Sequence, residues 1–371
     1  MTEEQLLERQ LVDWDFVLDT IRDERCVLFL GPEVFANPDG EKLEAQLARY
    51  LGVPDNPDIH KYYPDDALFF FQSGAKKTRI SYSIKRFYHQ PFPHAEKLLE
   101  KLAEIPFHFI MSLTPDRLLY DVFDKKNLKY KSDFYYKNQP ADPDAKAPTA
   151  SNPLIYNLLG NIDVQESLIL THDDLYDYFE SIFRGKSLSE IYKNHLKQAS
   201  NFIFIGLQFD KWYMQLLLRI LYLHNDKAAF MRYAASEGMT DEVKTLCLEQ
   251  FNINFISKDI SGFVDELYKR CKDADLLRLE NDPTSSPVNT WISMLAKGKI
   301  DDVLEQFAVF LDKSGTAGQA LYNDLLNLMG RWGMLQQKVN RGTIGEQESS
   351  IETNKIRESL LHLLNTAKNT L

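Results

Sequence analysis

The chain has 371 residues, 44% hydrophobic and 12% aromatic, which is room for two domains with packed cores, and no apolar stretch reaches the length of a bilayer span. Its three cysteines, Cys26, Cys247 and Cys271, are too few and too far apart for a disulfide framework or a zinc site. The formal charge of −11 falls wholly before Val288, because nine Lys/Arg and nine Asp/Glu follow from there; so acidic a main domain repels phosphate backbones and argues against nucleic acid as the principal partner.

The N-terminal MTEEQLLERQLVDWDF is acidic and amphipathic, unlike a secretory or organellar signal, so a cytoplasmic location without membrane attachment is expected. Cys26 opens an apolar run and reads as a small core residue rather than a nucleophile. Strands are expected at Val27–Leu30, His108–Leu113, Leu154–Leu158, Leu168–Leu170, Asn201–Gly206, Ala228–Tyr233 and Ile253–Ile256. Helical periodicity fills Ala95–Glu104, Asp173–Phe183, Leu188–Gln198, Lys211–Leu223 and Asp241–Gln250. Apolar strands alternating with amphipathic helices predict an α/β fold with a doubly wound, mainly parallel, Rossmann-like sheet.

Residues 35–95 are long for a crossover and read as a helical insertion carrying Tyr62, Tyr63, Phe69, Phe70 and Phe71. The basic cluster Lys76, Lys77, Arg79, Lys85 and Arg86 reads as a solvated helix face, with anion binding as the sharper alternative. Asn138–Asn152 is a Pro/Ala/Asp-rich loop. His172-Asp173-Asp174 looks metal-like but follows Thr171, a good N-cap, so helix capping is expected; His94, after Pro93, reads as a helix-start residue. Trp212-Tyr213 with Leu216, Leu217 and Ile220 reads as a helix packed on the sheet.

NDPTSSP at residues 281–287 is the best linker, dividing a 1–280 domain from residues 288–371. Beyond it Leu321, Leu325, Leu328, Met329, Trp332, Leu335 and Val339 follow helical steps. Gly342 is a helix stop, Gly345 precedes the acids Glu346 and Glu348, and Ile356, Leu360, Leu363 and Leu364 form another stripe. Three or four short helices in a small all-α bundle are expected.

In an open parallel sheet the ligand crevice lies beyond the carboxyl ends of the strands. The post-strand segments are Gly31-Pro-Glu-Val-Phe35, Ser112-Leu-Thr114-Pro-Asp116, Leu159-Gly160-Asn-Ile-Asp163 and Gly206-Leu-Gln-Phe-Asp210. With their flanking strands they resemble the sirtuin-like family, in particular its NAD-hydrolysing prokaryotic defence branch. That family carries a GAG-x-S turn, a T-T-N-Y-D-x-L-L segment, an L-H-G segment and a G-[YF]-S-x-x-D segment, matched in order over about residues 10–260. The resemblance implies a pocket for NAD or an ADP-ribose-like nucleotide at Gly31, Pro32, Glu33, Thr114, Asp116, Gly160, Gly206 and Asp210.

The departures bear on activity. In place of the glycine turn, Pro32 removes a backbone donor, Phe35 puts a ring where a small hydroxyl belongs, and Glu33 adds a carboxylate. Against a phosphate at ~4–5 Å and an effective dielectric near 20, that carboxylate costs about 3–4 kcal/mol unless protonated, paired with a cation or rotated away. The family's asparagine aligns with Thr114 and its proton-handling histidine with Leu159, which can neither accept nor donate a proton. Asp116 and Asp210 remain, each expected to cap the helix that follows.

Residues Trp291–Leu371, with Leu321-Tyr-Asn-Asp-Leu-Leu326, Gly342-Thr-Ile344 and Asn354-Lys-Ile-Arg357, resemble the effector-associated domains of bacterial conflict systems, which act as death-domain-like adaptors. Gly345 stands where a capping Ser or Thr is usual, a weakening of a few tenths of a kcal/mol. This resemblance implies a protein partner bearing a similar helical domain, or self-association; a helical cap that merely dimerises the chain or shields the sheet is the bland alternative. The two resemblances together point to a catalytically degenerate sirtuin-fold component of a prokaryotic antiviral defence or signalling complex. The alternatives are an active NAD hydrolase using Asp116, Asp163 or a neighbouring subunit, and a scaffold that binds no ligand.

Overall fold

The computed structural model describes residues 12–137, 142, 145–183, 188–221, 232–278, 291–292, 294–295, 298–313 and 315–370. The chain divides into two compact units, Met1–Glu280 and Asn281–Leu371.

The first unit is organised by β1, Cys26–Leu30, whose five residues are all buried. Its side chains alternate between two cores: Cys26, Leu28 and Leu30 enter one, Val27 and Phe29 the other. A strand apolar throughout needs cover on both faces, and the sheet has it. The order is β5-β6-β4-β1-β7-β8-β9, every neighbouring pair parallel. The remaining strands are β4 Phe109–Ser112, β5 Lys131–Phe134, β6 Leu154–Asn157, β7 Asn201–Ile205, β8 Arg232–Ala235 and β9 Ile253–Phe255. This is the expected doubly wound Rossmann-like sheet.

Helices α1 (Trp14–Arg22), α4 (Pro93–Glu104), α5 (Leu118–Lys125) and α10 (Ile260–Asp273) supply residues to the first core. Helices α6 (His172–Phe183), α7 (Glu190–Gln198), α8 (Trp212–Ile220) and α9 (Asp241–Phe251) supply the second. Side-chain caps fix several starts: Asp13, Ser189, Thr240 and Asp259 each accept a first-turn N–H of α1, α7, α9 and α10. Pro93 opens α4, with His94 behind it. All three cysteines are buried, and burial pushes their thiols up, those of Cys247 and Cys271 to about 12. Among the described residues no helix is long and apolar enough to cross a membrane.

The expected strand at Leu168–Leu170 does not form. The Leu170 N–H is diverted to Asp174 Oδ2 at 3.1 Å, while its carbonyl accepts the Phe69 N–H at 2.8 Å. Asp174 in turn takes the Thr171 N–H, and Thr171 Oγ1 accepts the Asp174 N–H, a reciprocal cap that opens α6. The segment proposed at Ala228–Tyr233 is displaced to Arg232–Ala235, and residues 228–231 lie outside the described residues. So do residues 138–141 and 143–144 of the Pro/Ala/Asp-rich loop, residues 222–223 and the 281–287 linker.

The insertion is not purely helical. Between α2 (Leu43–Tyr50) and α3 (Gly74–Tyr88) it holds an antiparallel pair, β2 Lys61–Tyr63 and β3 Leu68–Phe70. The Tyr62 and Phe69 rings meet across it, tilted by 31° with centroids 5.0 Å apart. The aromatic run is thus a hairpin, packed with Ile80 and Ile84 of α3 in a small separate core. The basic cluster on α3 is tied to acceptors: Lys77 to Asp174, Arg79 to Asp58, Lys85 to Asp163 and Lys76 to the Pro57 carbonyl.

The second unit contains α11 (Ile300–Lys313), α12 (Gly315–Asn340) and α13 (Glu346–Thr370). The last two are long, at 26 and 25 residues, where short helices were expected. Leu325, Leu328 and Trp332 of α12 meet Val303 and Phe307 of α11 and Leu360 and Leu364 of α13 in one core. Gly342 takes a left-handed φ of 63° after α12, and the Gly345 carbonyl accepts the Ser349 N–H at the start of α13.

Candidate functional site: the crevice at the carboxyl ends of β1, β4 and β7

Strand order reverses at β1, with β4 on one side and β7 on the other, so the crevice of this fold opens above their carboxyl ends. Gly31 and Gly206 meet there. A Cβ built on Gly31 would lie 2.1 Å from the Gly206 carbonyl oxygen, and Gly206 itself holds φ +70°. Gly31 therefore serves backbone-to-backbone packing between two strand ends.

Pro32–Phe35 coils into one turn of 3₁₀ helix. Its donors are used inside the chain: Gly31 N–H binds the Ile205 carbonyl at 2.9 Å, Glu33 N–H the Gly206 carbonyl at 3.1 Å, and Val34 N–H the Gly31 carbonyl at 3.3 Å. Pro32 has none. Phe35 is buried, edge-on to Phe92 at 5.3 Å. The residues present do not fit a pyrophosphate cradle, which needs outward-pointing N–H groups and a glycine-lined approach.

Glu33 is 5% exposed and turns toward β8 rather than into the crevice. Its Oε2 accepts from Ser236 Oγ at 2.8 Å and from the Glu237 N–H at 3.0 Å, while Oε1 is buried without a partner. Burial pushes its carboxyl up to about 7, against the pull of those two hydrogen bonds and of Lys42.

At the end of β4 the hydroxyls of Ser112 and Thr114 lie 3.0 Å apart, and Thr114 supports Asp116 by a side-chain hydrogen bond. Asp116 Oδ1 accepts the Leu118 N–H at 2.7 Å, at the start of α5. Asp116 is buried, and that burial raises its carboxyl despite both bonds. Asn157 Nδ2 donates to the Asp116 carbonyl at 3.2 Å, and Asn157 Oδ1 accepts from the Tyr120 hydroxyl at 2.8 Å. Leu159 packs against the second core, and Gly160, at φ +92°, lets its backbone lie against Ser167.

Asp163 is gripped by Arg117 at 2.6 Å and Lys85 at 2.9 Å, which holds its carboxyl below the usual range. So paired, it makes a poor proton acceptor. Asp210, expected to cap α8, is exposed, and the N-cap position belongs to Lys211, which makes no side-chain cap. His172 Nε2 bonds Asp66 at 2.9 Å, and among the described residues no three His, Cys, Asp or Glu side chains are grouped to hold a metal.

Two groups at the site escaped the sequence reading: Tyr88 of α3, whose hydroxyl is pushed up by burial and then by Asp116 and Glu44, and Glu44 of α2, whose Oε2 is buried without a partner. Neither lies in a strand-end motif, so no spacing announced them.

Residues 115–256 match the family model described as SIR2-like domain, and residues 287–368 match Effector-associated domain 11. The chain pairs a SIR2-like domain with an effector-associated domain. Both resemblances drawn from the motifs are thereby met, and the pairing is of the defence or effector type. The SIR2-like match begins at Pro115, so the altered turn at Gly31–Phe35 and Thr114 lie ahead of it. No curated protein matches the chain.

Proposed function

We propose that this SIR2-like chain is a non-catalytic component of a prokaryotic antiviral defence or signalling complex, working in the cytoplasm and assembled through its effector-associated helices. The observation that carries the reading is the turn after β1, whose available N–H donors are spent on Ile205, Gly206 and Gly31 and whose Glu33 adds a buried carboxyl. Leu159 at the expected histidine position removes the proton-handling group from the same crevice.

The assembly part rests on α12. Its core face is Leu321, Leu325, Leu328, Trp332 and Leu335, while Leu326 and Met334 are exposed at 46% and 60%. Gly330 and Gly333 stand between them, and a Cβ on either would meet nothing within 4 Å. Two helix-weakening glycines with no packing use inside the unit suit close approach by a helix of a partner bearing a similar domain.

A second reading has one observation in its favour: Asp116 is buried, its carboxyl is raised, and it sits at the end of β4. In that reading the chain hydrolyses NAD with Asp116 as the acid or base. Incubation of the purified chain with NAD, followed by measurement of nicotinamide, separates the two. We expect release no faster than a protein-free control; release that disappears in Asp116→Ala would establish the second reading instead.

A further inference from the structure

Beside the loop that follows β7 lies a cleft of about 870 Å³, walled on the far side by α2 and the β2–β3 hairpin. Its lining holds four carboxylates, Glu44, Asp65, Asp66 and Asp210. It also holds three cations, Lys42, Arg49 and Lys211, two of them already partnered. Arg49 pairs with Glu41 at 2.5 Å, and Lys211 Nζ donates to the Asp65 carbonyl. The third, Lys42, lies within electrostatic reach of Glu33.

Asp66 is committed as well, to Trp212 Nε1 at 3.1 Å and His172 Nε2 at 2.9 Å. Glu44 is different: its Oε2 is buried and no donor reaches it. Burial pushes up the hydroxyls of Tyr62, Tyr88 and Tyr213, that of Tyr62 to about 12, and the Glu44 charge adds to each shift. A carboxylate oxygen buried without a donor, in a cleft that Tyr62 and Trp212 also line, is a receptor for an ammonium group.

The remaining walls have the same preference. Ala48, Val53 and Pro64 offer an aliphatic strip that methylenes cover, and Trp212, 46% exposed with its N–H turned to Asp66, presents its ring. Asp65 and Asp210 lie exposed at the mouth. Among the described residues no group of three metal-ligating side chains exists, so a bare metal ion lacks a ligand set.

From this cleft we infer a binding site for a linear aliphatic polyamine: one ammonium on Glu44, the chain along the aliphatic strip and Trp212, and a second ammonium between Asp65 and Asp210. This rests on the reading that the crevice no longer takes a dinucleotide, whose phosphates the same carboxylates would repel.

Titration calorimetry of the full chain with spermidine, butylamine, a diol of matching length and NAD tests the site. Spermidine should bind, the diol should not, and butylamine should bind more weakly because it carries one charge. Glu44→Gln and Asp210→Asn should each weaken spermidine by about tenfold without lowering the melting temperature. Absence of spermidine binding would overturn the inference. So would equal binding of butylamine or the diol, or full affinity in both variants, which would mean attraction to the acidic surface at large. NAD binding that displaces spermidine would instead overturn the proposed loss of the nucleotide.

Discussion

Glu33 is a carboxyl that folding makes harder to ionise. Its folded value is about 7 against an ordinary 4.5, so between those pH values the folded chain holds a proton that the unfolded chain has released. Stability therefore falls as pH rises through that window, by at most about 3 kcal/mol for a shift of this size. His108 works in the opposite sense: burial holds it down at about 3, with its Nδ1 unpartnered, so its contribution is present above pH 6.5 and is lost toward acid. The two slopes overlap, and the difference between wild type and Glu33→Gln isolates one of them. Denaturant titrations at a series of pH values should show Glu33→Gln losing the decline between pH 4.5 and 7 and exceeding wild type at pH 8. Parallel curves would mean that Glu33 ionises normally. The sequence showed that a carboxylate stood in the glycine turn and that rotation could relieve it; it did not show Ser236 and Glu237, two hundred residues away, as the partners it turns to.

At the level of elements, the joint between β1 and β7 is set by contact. Gly31→Ala would drive a methyl to 2.1 Å from the Gly206 carbonyl oxygen, an overlap with rigid backbone rather than with a side chain that can swing away. A cost above about 4 kcal/mol is expected, read as loss of soluble, cooperatively unfolding protein. A variant that folded normally would show that the glycine is kept for a ligand instead. Strands buried on both faces were easy to read, since runs of four or five apolar residues such as Cys26–Leu30 and Phe202–Ile205 fit little else. Short half-buried strands were not: Lys131–Phe134 and the β2–β3 pair carry polar or exposed residues and depend on neighbours that chain order does not announce. Leu168–Leu170 had the right composition but lost its ladder donor to the cap of α6.

In the molecule as a whole, the two units have separate cores. The crevice motifs were legible because strand ends recur in fixed order; Glu44, Tyr88 and Asp116 come from α2, α3 and the β4–α5 loop, far apart in sequence, and only the fold brings both carboxyls within electrostatic reach of Tyr88. Association should respond to α12 and leave the sheet untouched. Met334→Glu places a charge on the exposed face between the core-facing residues, so sedimentation of the full chain, alone and with a partner carrying an effector-associated domain, should show complex formation lost while the melting temperature holds. Unchanged association would place the contact on another surface.

Strand order also governs synthesis. β1 leaves the ribosome first, yet its pairing on one side waits for β4 and on the other for Asn201–Ile205. At about 5–20 residues per second, a strand apolar along its whole length stays half covered for on the order of ten seconds or more. Anything that slows translation between these two strands lengthens the interval in which the nascent chain can be captured by chaperones or by its neighbours on the same message.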